Sequence, residues 1–260
     1  AASRGLSFGG DFTKGVIRTA DAGTLTLTKA YVAEDGMTFE NPNSMTFAEG
    51  LTVAGGSVEN GGNLYAEKAV LMTGGEIANT GFIYADGGFS MSGGKLGMTV
   101  DQGLTRLSTE DADFSATGGE IAGEGEIAGR NISLSGTLAL NAAGIDIAAD
   151  ETLTTEGDFT AGDASAKTLS VLSGTFAAAN VDARTGTVAA DAALRTKALA
   201  LQKDDVFTVE GTLDVEALDA KAEGRIVNKK NLVFSNAGET AGATIVMQGA
   251  DAAMTIREEG

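Results

Sequence analysis

The chain has 260 residues, a formal net charge of −18, and neither histidine nor cysteine. Without imidazole or thiol groups it can hold no Ser-His-Asp triad, no histidine-ligated zinc and no disulfide framework. The acidic charge argues against nucleic acid as a partner, because phosphate binding needs clustered Lys and Arg. No apolar run of about 18 residues occurs, so we expect no membrane insertion.

The predicted organisation is one elongated domain over residues 1–260, because the chain has a single proline, Pro42, and no linker-like tract. It begins Ala1-Ala2-Ser3, which fits either a mature protein after signal removal or a segment of something longer. The first 50 residues carry only a weak repeat signal.

The first clear strand signal is Thr24–Thr28, where threonine and leucine alternate with period two. Such a strand buries one face and presents a row of hydroxyl groups on the other. A regular Thr-x-Thr array is what a carbohydrate-binding or ice-binding face would need, but we expect that the other coils do not repeat this row.

Glycine pairs then recur at a nearly fixed step. Three pairs are nineteen residues apart and a fourth follows after twenty-five: Gly55-Gly56, Gly74-Gly75, Gly93-Gly94 and Gly118-Gly119. This period is too short for helix-hairpin repeats of about 33 residues or more and fits one coil of a β-solenoid.

Superposition by nineteen residues predicts which side chains stack between coils. The apolar pairs, which we expect to form interior ladders, are Val58 and Ile77, Leu64 and Ile83, and Val70 and Phe89. Asn60 coincides with Asn79, either as a hydrogen-bonded amide ladder at a corner or because asparagine tolerates a positive φ. The second aromatic pair, Tyr65 and Tyr84, either packs or contacts a ligand.

The predicted fold is therefore all-β: a single-stranded, right-handed parallel β-helix, or β-solenoid, with coils of about 19 residues. Each coil should contain two or three short strands separated by Gly, Asn or Asp turns. Successive coils should pair in parallel about 4.8 Å apart.

Six extra residues between Gly94 and Gly118 predict a protruding loop near Asp101–Asp113. Asp111 and Asp113 within it could face one side of a strand, and Asp204-Asp205 is the only adjacent aspartate pair. Neither pair belongs to a recognisable acid/base motif, so we expect solvated corners rather than catalytic carboxylates.

The repeat continues downstream in degenerate form, with single glycines two coils apart at Gly136, Gly174, Gly211 and Gly249. The segment beginning Gly174-Thr-Phe resembles the one beginning Gly211-Thr-Leu, and Gly186-Thr-Val then corresponds to Gly224-Arg-Ile. Between them, 188–202 is rich in Ala and Leu. Its alternation nevertheless predicts a strand rather than a helix.

No cofactor is expected. The calcium-binding nonapeptide of secreted β-rolls and the EF-hand loop are both missing from the sequence. Weak calcium binding by corner carboxylates is the one metal interaction left open.

The coil pattern G-x-[VI]-x-N-x-G-x-[LI]-x-A occurs at 56–66 and again at 75–85. It resembles the passenger regions of bacterial autotransporters and of filamentous-haemagglutinin-type adhesins. The resemblance implies a secreted β-helix that forms a surface adhesin or stalk, and it carries over no catalytic residue.

The predicted function is a non-enzymatic, extracellular structural protein of a bacterial surface: an adhesin stalk, filament or surface-layer subunit. Its expected partners are other copies of itself or surface glycans. The alternatives are a carbohydrate-active β-helix enzyme, such as a polysaccharide lyase or hydrolase, and a carbohydrate-binding module. An enzyme should show an acidic cleft across several coils with Arg or Lys among the carboxylates, whereas a structural protein should show complementary ends or sides.

The two ends of the chain predict assembly or continuation. Residues 1–10 show no amphipathic cap, and the strand-like Ala253–Ile256 is followed by the charged Arg257, Glu258 and Glu259. Open strand edges in natural proteins are covered or charged. We expect the chain to continue or to stack with other copies, with an incoming basic segment near Arg4 or Lys14 opposite the terminal glutamates.

Overall fold

The computed structural model describes residues 14–100, 105–109, 111–220, 224–234 and 244–256. All the regular elements of these residues are β-strands, and the strands pair in parallel, coil upon coil. The predicted β-solenoid is confirmed. The chain divides into two compact units, one of residues 1–130 with 137–139 and one of residues 131–136 with 140–260; the single-domain organisation stays a prediction.

Each coil of the first unit has three short strands, one on each of three faces. The strands are β1 (Gly15–Arg18), β2 (Thr24–Leu27), β3 (Tyr31–Ala33), β4 (Met37–Asn41), β5 (Ser44–Phe47), β6 (Leu51–Val53), β7 (Ser57–Asn60), β8 (Asn63–Ala66), β9 (Val70–Met72), β10 (Glu76–Asn79), β11 (Phe82–Ala85), β12 (Phe89–Met91), β13 (Lys95–Met98), β14 (Arg106–Ser108) and β15 (Phe114–Ala116). Longer strands follow: β16 (Glu120–Leu134) and β17 (Ala139–Leu140) have residues in both units.

The register in the first unit follows the glycine step. Ser57 pairs with Glu76 and Glu76 with Lys95, each nineteen residues on. The step from Phe82 to Arg106 grows to twenty-four residues. Most of the predicted insertion therefore enters between β13 and β14, where residues 101–104 lie outside the described part of the chain.

Buried and outward residues alternate along β4 to β13 of the first unit, because side chains in a β-strand point to opposite faces in turn. At one position a large ring is accommodated by a small neighbour on the next coil, since Phe47 lies beneath Ala66. Phe39 and Phe47 pack edge to face at 5.2 Å between ring centroids. Both phenylalanines are fully buried.

The second unit contains four long strands among shorter ones of two to four residues. In chain order its strands are β18 (Gly144–Glu156), β19 (Phe159–Thr160), β20 (Ala164–Val188), β21 (Ala192–Leu201), β22 (Val206–Val209), β23 (Thr212–Ala220), β24 (Arg225–Asn228), β25 (Asn231–Phe234), β26 (Thr244–Met247) and β27 (Ala253–Ile256). The long strands are β18, β20, β21 and β23. The Ala/Leu-rich segment at 188–202 contains β21 and is a strand, as its alternation predicted.

The coil length in the second unit is shorter at first. Ile147 pairs with Ala164, seventeen residues on, and Gly174 pairs with Ala192, eighteen residues on. Between β21 and β23 the step is nineteen, as between Leu194 and Leu213, and between β25 and β27 it grows to twenty-two, as between Leu232 and Met254. The interior column Phe176, Leu194 and Leu213 places Gly174-Thr-Phe two coils from Gly211-Thr-Leu, as predicted.

The predicted correspondence between Gly186-Thr-Val and Gly224-Arg-Ile was wrong. Gly186 pairs with Phe207, and Phe207 pairs with Ile226. Gly186 is therefore equivalent to Ile226 and not to Gly224. A Cβ at Gly186 would lie 2.0 Å from the Phe207 ring, so glycine at this position makes room for the aromatic side chain of the next coil.

Candidate functional surface

The buried corner of the first unit holds a column of side-chain amides. Asn60 lies directly over Asn41 and beneath Asn79, and all three are almost completely buried. The Asn41 Nδ2 donates to Asn60 Oδ1 at 2.6 Å, and Asn60 Nδ2 donates to Asn79 Oδ1 at 2.7 Å. The structure thus brings Asn60 and Asn79 together as an amide ladder. No described asparagine has a positive φ, so the turn-conformation alternative does not apply.

Asn41 and Thr19 are members of this amide ladder that the glycine step does not reveal. Thr19 Oγ1 donates to Asn41 Oδ1 at 3.3 Å. In Asn41's coil Pro42-Asn43 replaces the Gly61-Gly62 that follows Asn60, which hides the repeat. The shared Glu-Asn dipeptide, at 40–41 and again at 59–60, is the signal that would have found it.

The apolar ladder residues lie in the registers expected from the nineteen-residue step. Val58 pairs with Ile77, Leu64 with Ile83 and Val70 with Phe89. Each of the six is buried. They form the core and take no part in a surface site.

Tyr65 and Tyr84 lie on the outside of the second face. Their rings are parallel within 8° with centroids 5.1 Å apart, and Phe82 stacks beside Tyr84 at 6.1 Å. Tyr65 is 38% exposed. Offset stacking of this kind fixes the rings while leaving outer surface accessible to solvent.

The aromatic residues belong to a larger surface without charge, which we call the uncharged strip. Its members are the outward residues of β2, β5, β8 and β11, two from each strand: Thr24, Thr26, Ser44, Thr46, Asn63, Tyr65, Phe82 and Tyr84. Ser44 and Thr46 lie directly over Thr24 and Thr26. The expectation that no other coil repeats the hydroxyl row was therefore wrong for this coil, with serine in place of one threonine.

The first face of the same unit is charged by contrast. A groove of about 460 Å³ runs along it, and its lining includes Arg18, Glu40, Glu59 and Glu76. Arg18 Nε lies 3.3 Å from a Glu40 carboxylate oxygen, and an Arg18 terminal nitrogen lies 2.9 Å from Asp21. Carboxylates and an arginine thus share a groove that crosses several coils.

The aspartate pairs have different surroundings. Asp204 is exposed with φ 69°, whereas Asp205 is buried and its carboxylate accepts the Gln202 N–H at 2.6 Å. Asp205 therefore holds a turn and is not the solvated corner expected. Asp111 is exposed, and Asp113 pairs with Arg130 at 2.9 Å.

The described residues provide neither a cluster of metal ligands nor a membrane-spanning helix. They contain no group of three or more His, Cys, Asp or Glu side chains that could hold a metal ion. No helix in this part of the chain is long and apolar enough to cross a membrane.

The last described coil of the second unit leaves its interior columns open. Met254 and Ile256 are 46% and 54% exposed, although they continue the columns of the buried Leu232 and Phe234. Met247, over the buried Asn228, is also exposed. Within the described residues no strand pairs with the far edges of β26 and β27. We call this the open coil.

Several parts of the predicted assembly lie outside the described residues. These are the uncapped segment 1–10 with Arg4, and the charged residues Arg257, Glu258 and Glu259. Lys14 is described and exposed.

The chain matches no protein-family model, no curated protein and no solved structure. The β-solenoid architecture is therefore the whole support for the resemblance to autotransporter passengers and filamentous-haemagglutinin-type adhesins.

Proposed function

We propose that the protein is a non-enzymatic structural protein of a bacterial surface, exported from the cell, and that its copies associate end to end. The observation that carries this proposal is the open coil. Its apolar columns stand exposed in the register of the core beneath them. An open strand edge with exposed apolar residues is a template for pairing with another chain.

Two partners fit the open coil: a further coil of a longer chain, and the same coil of a second copy. In the first described coil of the first unit, Ile17, Leu27 and Ala33 are buried, in contrast to the exposed Met254 and Ile256. Two open coils related by a two-fold axis would bring Met254 and Ile256 of each copy together. Such an interface is isologous and closes on itself.

Association is tested by light scattering coupled to size exclusion at micromolar concentration. The wild-type chain should be a dimer, and Met254→Glu with Ile256→Glu should be a monomer with unchanged far-UV circular dichroism. Leu71→Glu is the matched control, because Leu71 is 44% exposed on another surface. A wild-type monomer whose native gene product has no sequence beyond residue 260, or a dimer that survives the double change, would contradict the proposal.

Export has a separate test. In cells that express the native gene, protease added outside intact cells should degrade the protein, while a cytoplasmic marker stays whole. Protection of the protein under these conditions would contradict a surface location.

A carbohydrate-active enzyme is the second candidate, favoured by the groove that holds Arg18, Glu40, Glu59 and Glu76. Glycoside hydrolysis uses two carboxylates that flank the bond to be cleaved. Release of reducing or unsaturated sugars from a polysaccharide panel, abolished by Glu59→Gln, would establish this activity. Because the sequence shows no recognisable acid/base constellation, we expect no such turnover.

A further inference from the structure

We infer that the uncharged strip binds a neutral glycan. The strip lies in the first unit, on residues that take no part in the open coil of the second unit. The inference therefore goes beyond the proposed association, and either can fail without the other.

The charge distribution selects the class of ligand. Eight outward positions on four successive strands carry no charged side chain in a protein whose net charge is −18. The outward residues of the neighbouring first face, by contrast, include Arg18, Glu40 and Glu59. An acidic protein repels polyanions at close range. A neutral polymer is not repelled by the net charge of the protein. Since the strip has no charged side chain, a neutral polymer that covers it buries no unpaired charge.

The step in side-chain size along the strip provides a surface for a sugar ring. One side of the Tyr65 ring is stacked on Tyr84, while on its other side the neighbouring coil presents the much smaller Thr46. The tyrosine ring thus stands above a floor of hydroxyl groups formed by Ser44, Thr46 and the threonines beneath them. A sugar has an apolar C–H face and a rim of hydroxyls, which match an aromatic face beside hydroxyl and amide groups.

The strip is also held in place before any ligand arrives. Its residues alternate with buried ones such as Met45, Leu64 and Ile83, so the backbone beneath each outward side chain is fixed by the core. The Asn41 and Asn60 amides donate to the backbone oxygens of Asn63 and Phe82, at the start of two of its strands. A surface already ordered loses less conformational entropy on binding.

The experiment is isothermal titration of the full chain with four neutral hexasaccharides: laminarihexaose, cellohexaose, mannohexaose and chitohexaose. At least one should bind, and Tyr65→Ala should weaken its Kd about tenfold or more by removing the stacking ring. Thr46→Glu should abolish binding by placing a charge and added bulk on the hydroxyl floor. Leu71→Ala, an exposed position on the third face of the same coil, should leave the Kd unchanged.

Several results would overturn the inference. They are binding to none of the four sugars, binding unaffected by both strip variants, and preference for heparin or polygalacturonate over every neutral sugar. Loss of chain association, rather than of sugar binding, in Tyr65→Ala would make the strip a contact between copies. Circular dichroism and the urea midpoint of each variant show whether the fold is retained. Tyr65→Phe, which keeps the ring, should bind as wild type if stacking carries the affinity.

Discussion

Residues 37–98 of the first unit and 145–182 of the second unit both form stacked parallel coils, but they turn their corners differently. In the first region the polar corner groups lie inside, as the Asn41, Asn60 and Asn79 amides. In the second region they lie outside: the Asp146 carboxylate accepts the Asp163 N–H, and the Asp158 carboxylate accepts the Thr175 N–H, both at 2.8 Å.

The difference shows two ways to satisfy backbone and side-chain polar groups in one architecture. A buried amide must find partners within the protein, since an unpaired one costs about 1–3 kcal/mol. An exposed aspartate can exchange its protein partner for water and therefore stabilises less. The coils of the second region are also shorter, with steps of sixteen to eighteen residues.

Placing a charge in the apolar core should lower the free energy of unfolding by a similar amount in both regions, and this is the largest effect that we expect. Ile77→Asp and Leu169→Asp each bury an unpaired charge at a fully enclosed position and should lower the free energy of unfolding by about 3–5 kcal/mol. Urea unfolding followed by circular dichroism measures this loss. Ser90→Asp, on an exposed position of β12, should change stability little. A large difference between the two core variants would break the comparison.

Glycine substitutions should separate the two units by whether the lost stability can be restored by a second substitution. Gly75 has φ 69°, and a Cβ there would lie 2.2 Å from the Gly56 carbonyl oxygen, so Gly75→Ala should cost about 2–3 kcal/mol. Gly186→Ala meets a side chain, the Phe207 ring, and should cost about 1–3 kcal/mol.

Phe207→Leu provides the test of that distinction. Combined with Gly186→Ala, it should lose less stability than the sum of the two single changes, because the smaller side chain relieves the contact. Added to Gly75→Ala, it should have a strictly additive effect. Additive losses in both pairs would show that Gly186 is not there to accommodate the ring.

The buried corner amide should contribute more to the free energy of unfolding than an exposed corner carboxylate. Asn60→Ala removes the partner of both Asn41 and Asn79 within the core and should cost about 2 kcal/mol. The denaturation midpoint of this variant is compared with that of Glu59→Ala, its outward neighbour, which should be near wild type. Equal midpoints would mean that the amide column does not stabilise the fold.

The smallest expected effect is that of Asp158→Ala, about 0.5–1 kcal/mol, since it removes one hydrogen bond at an exposed corner. Asp158→Asn keeps a side-chain oxygen as acceptor and should stay close to wild type. If Asp158→Ala proved as costly as Asn60→Ala, inward and outward corners would be equivalent after all.

The sequence revealed the fold where the coil length is constant and the turns are glycines. Between Ser57 and Met91 a single shift of nineteen predicts every register, because each coil repeats the same corners. It failed at Gly186, where a change in coil length moves the match by two residues without leaving a glycine to mark it.

The surface features were harder to predict than the core. The uncharged strip depends on outward positions, where Thr46 and Tyr65 occupy equivalent places without resembling each other. The core restricts volume and polarity, so equivalent interior residues look alike. The surface imposes no such restriction, and only the register shows that these side chains are neighbours.

The amide column also bears on how the first unit folds. All of its side-chain bonds run in one direction, from Asn41 to Asn60 to Asn79, and such chains of hydrogen bonds strengthen one another. A slip of two residues would keep the apolar side chains in the core, since one aliphatic side chain packs much like another. The same slip would separate each asparagine from its partner amide in the next coil. We therefore expect the amide column to favour the correct register between neighbouring coils over a slipped one, wherever along the solenoid folding begins.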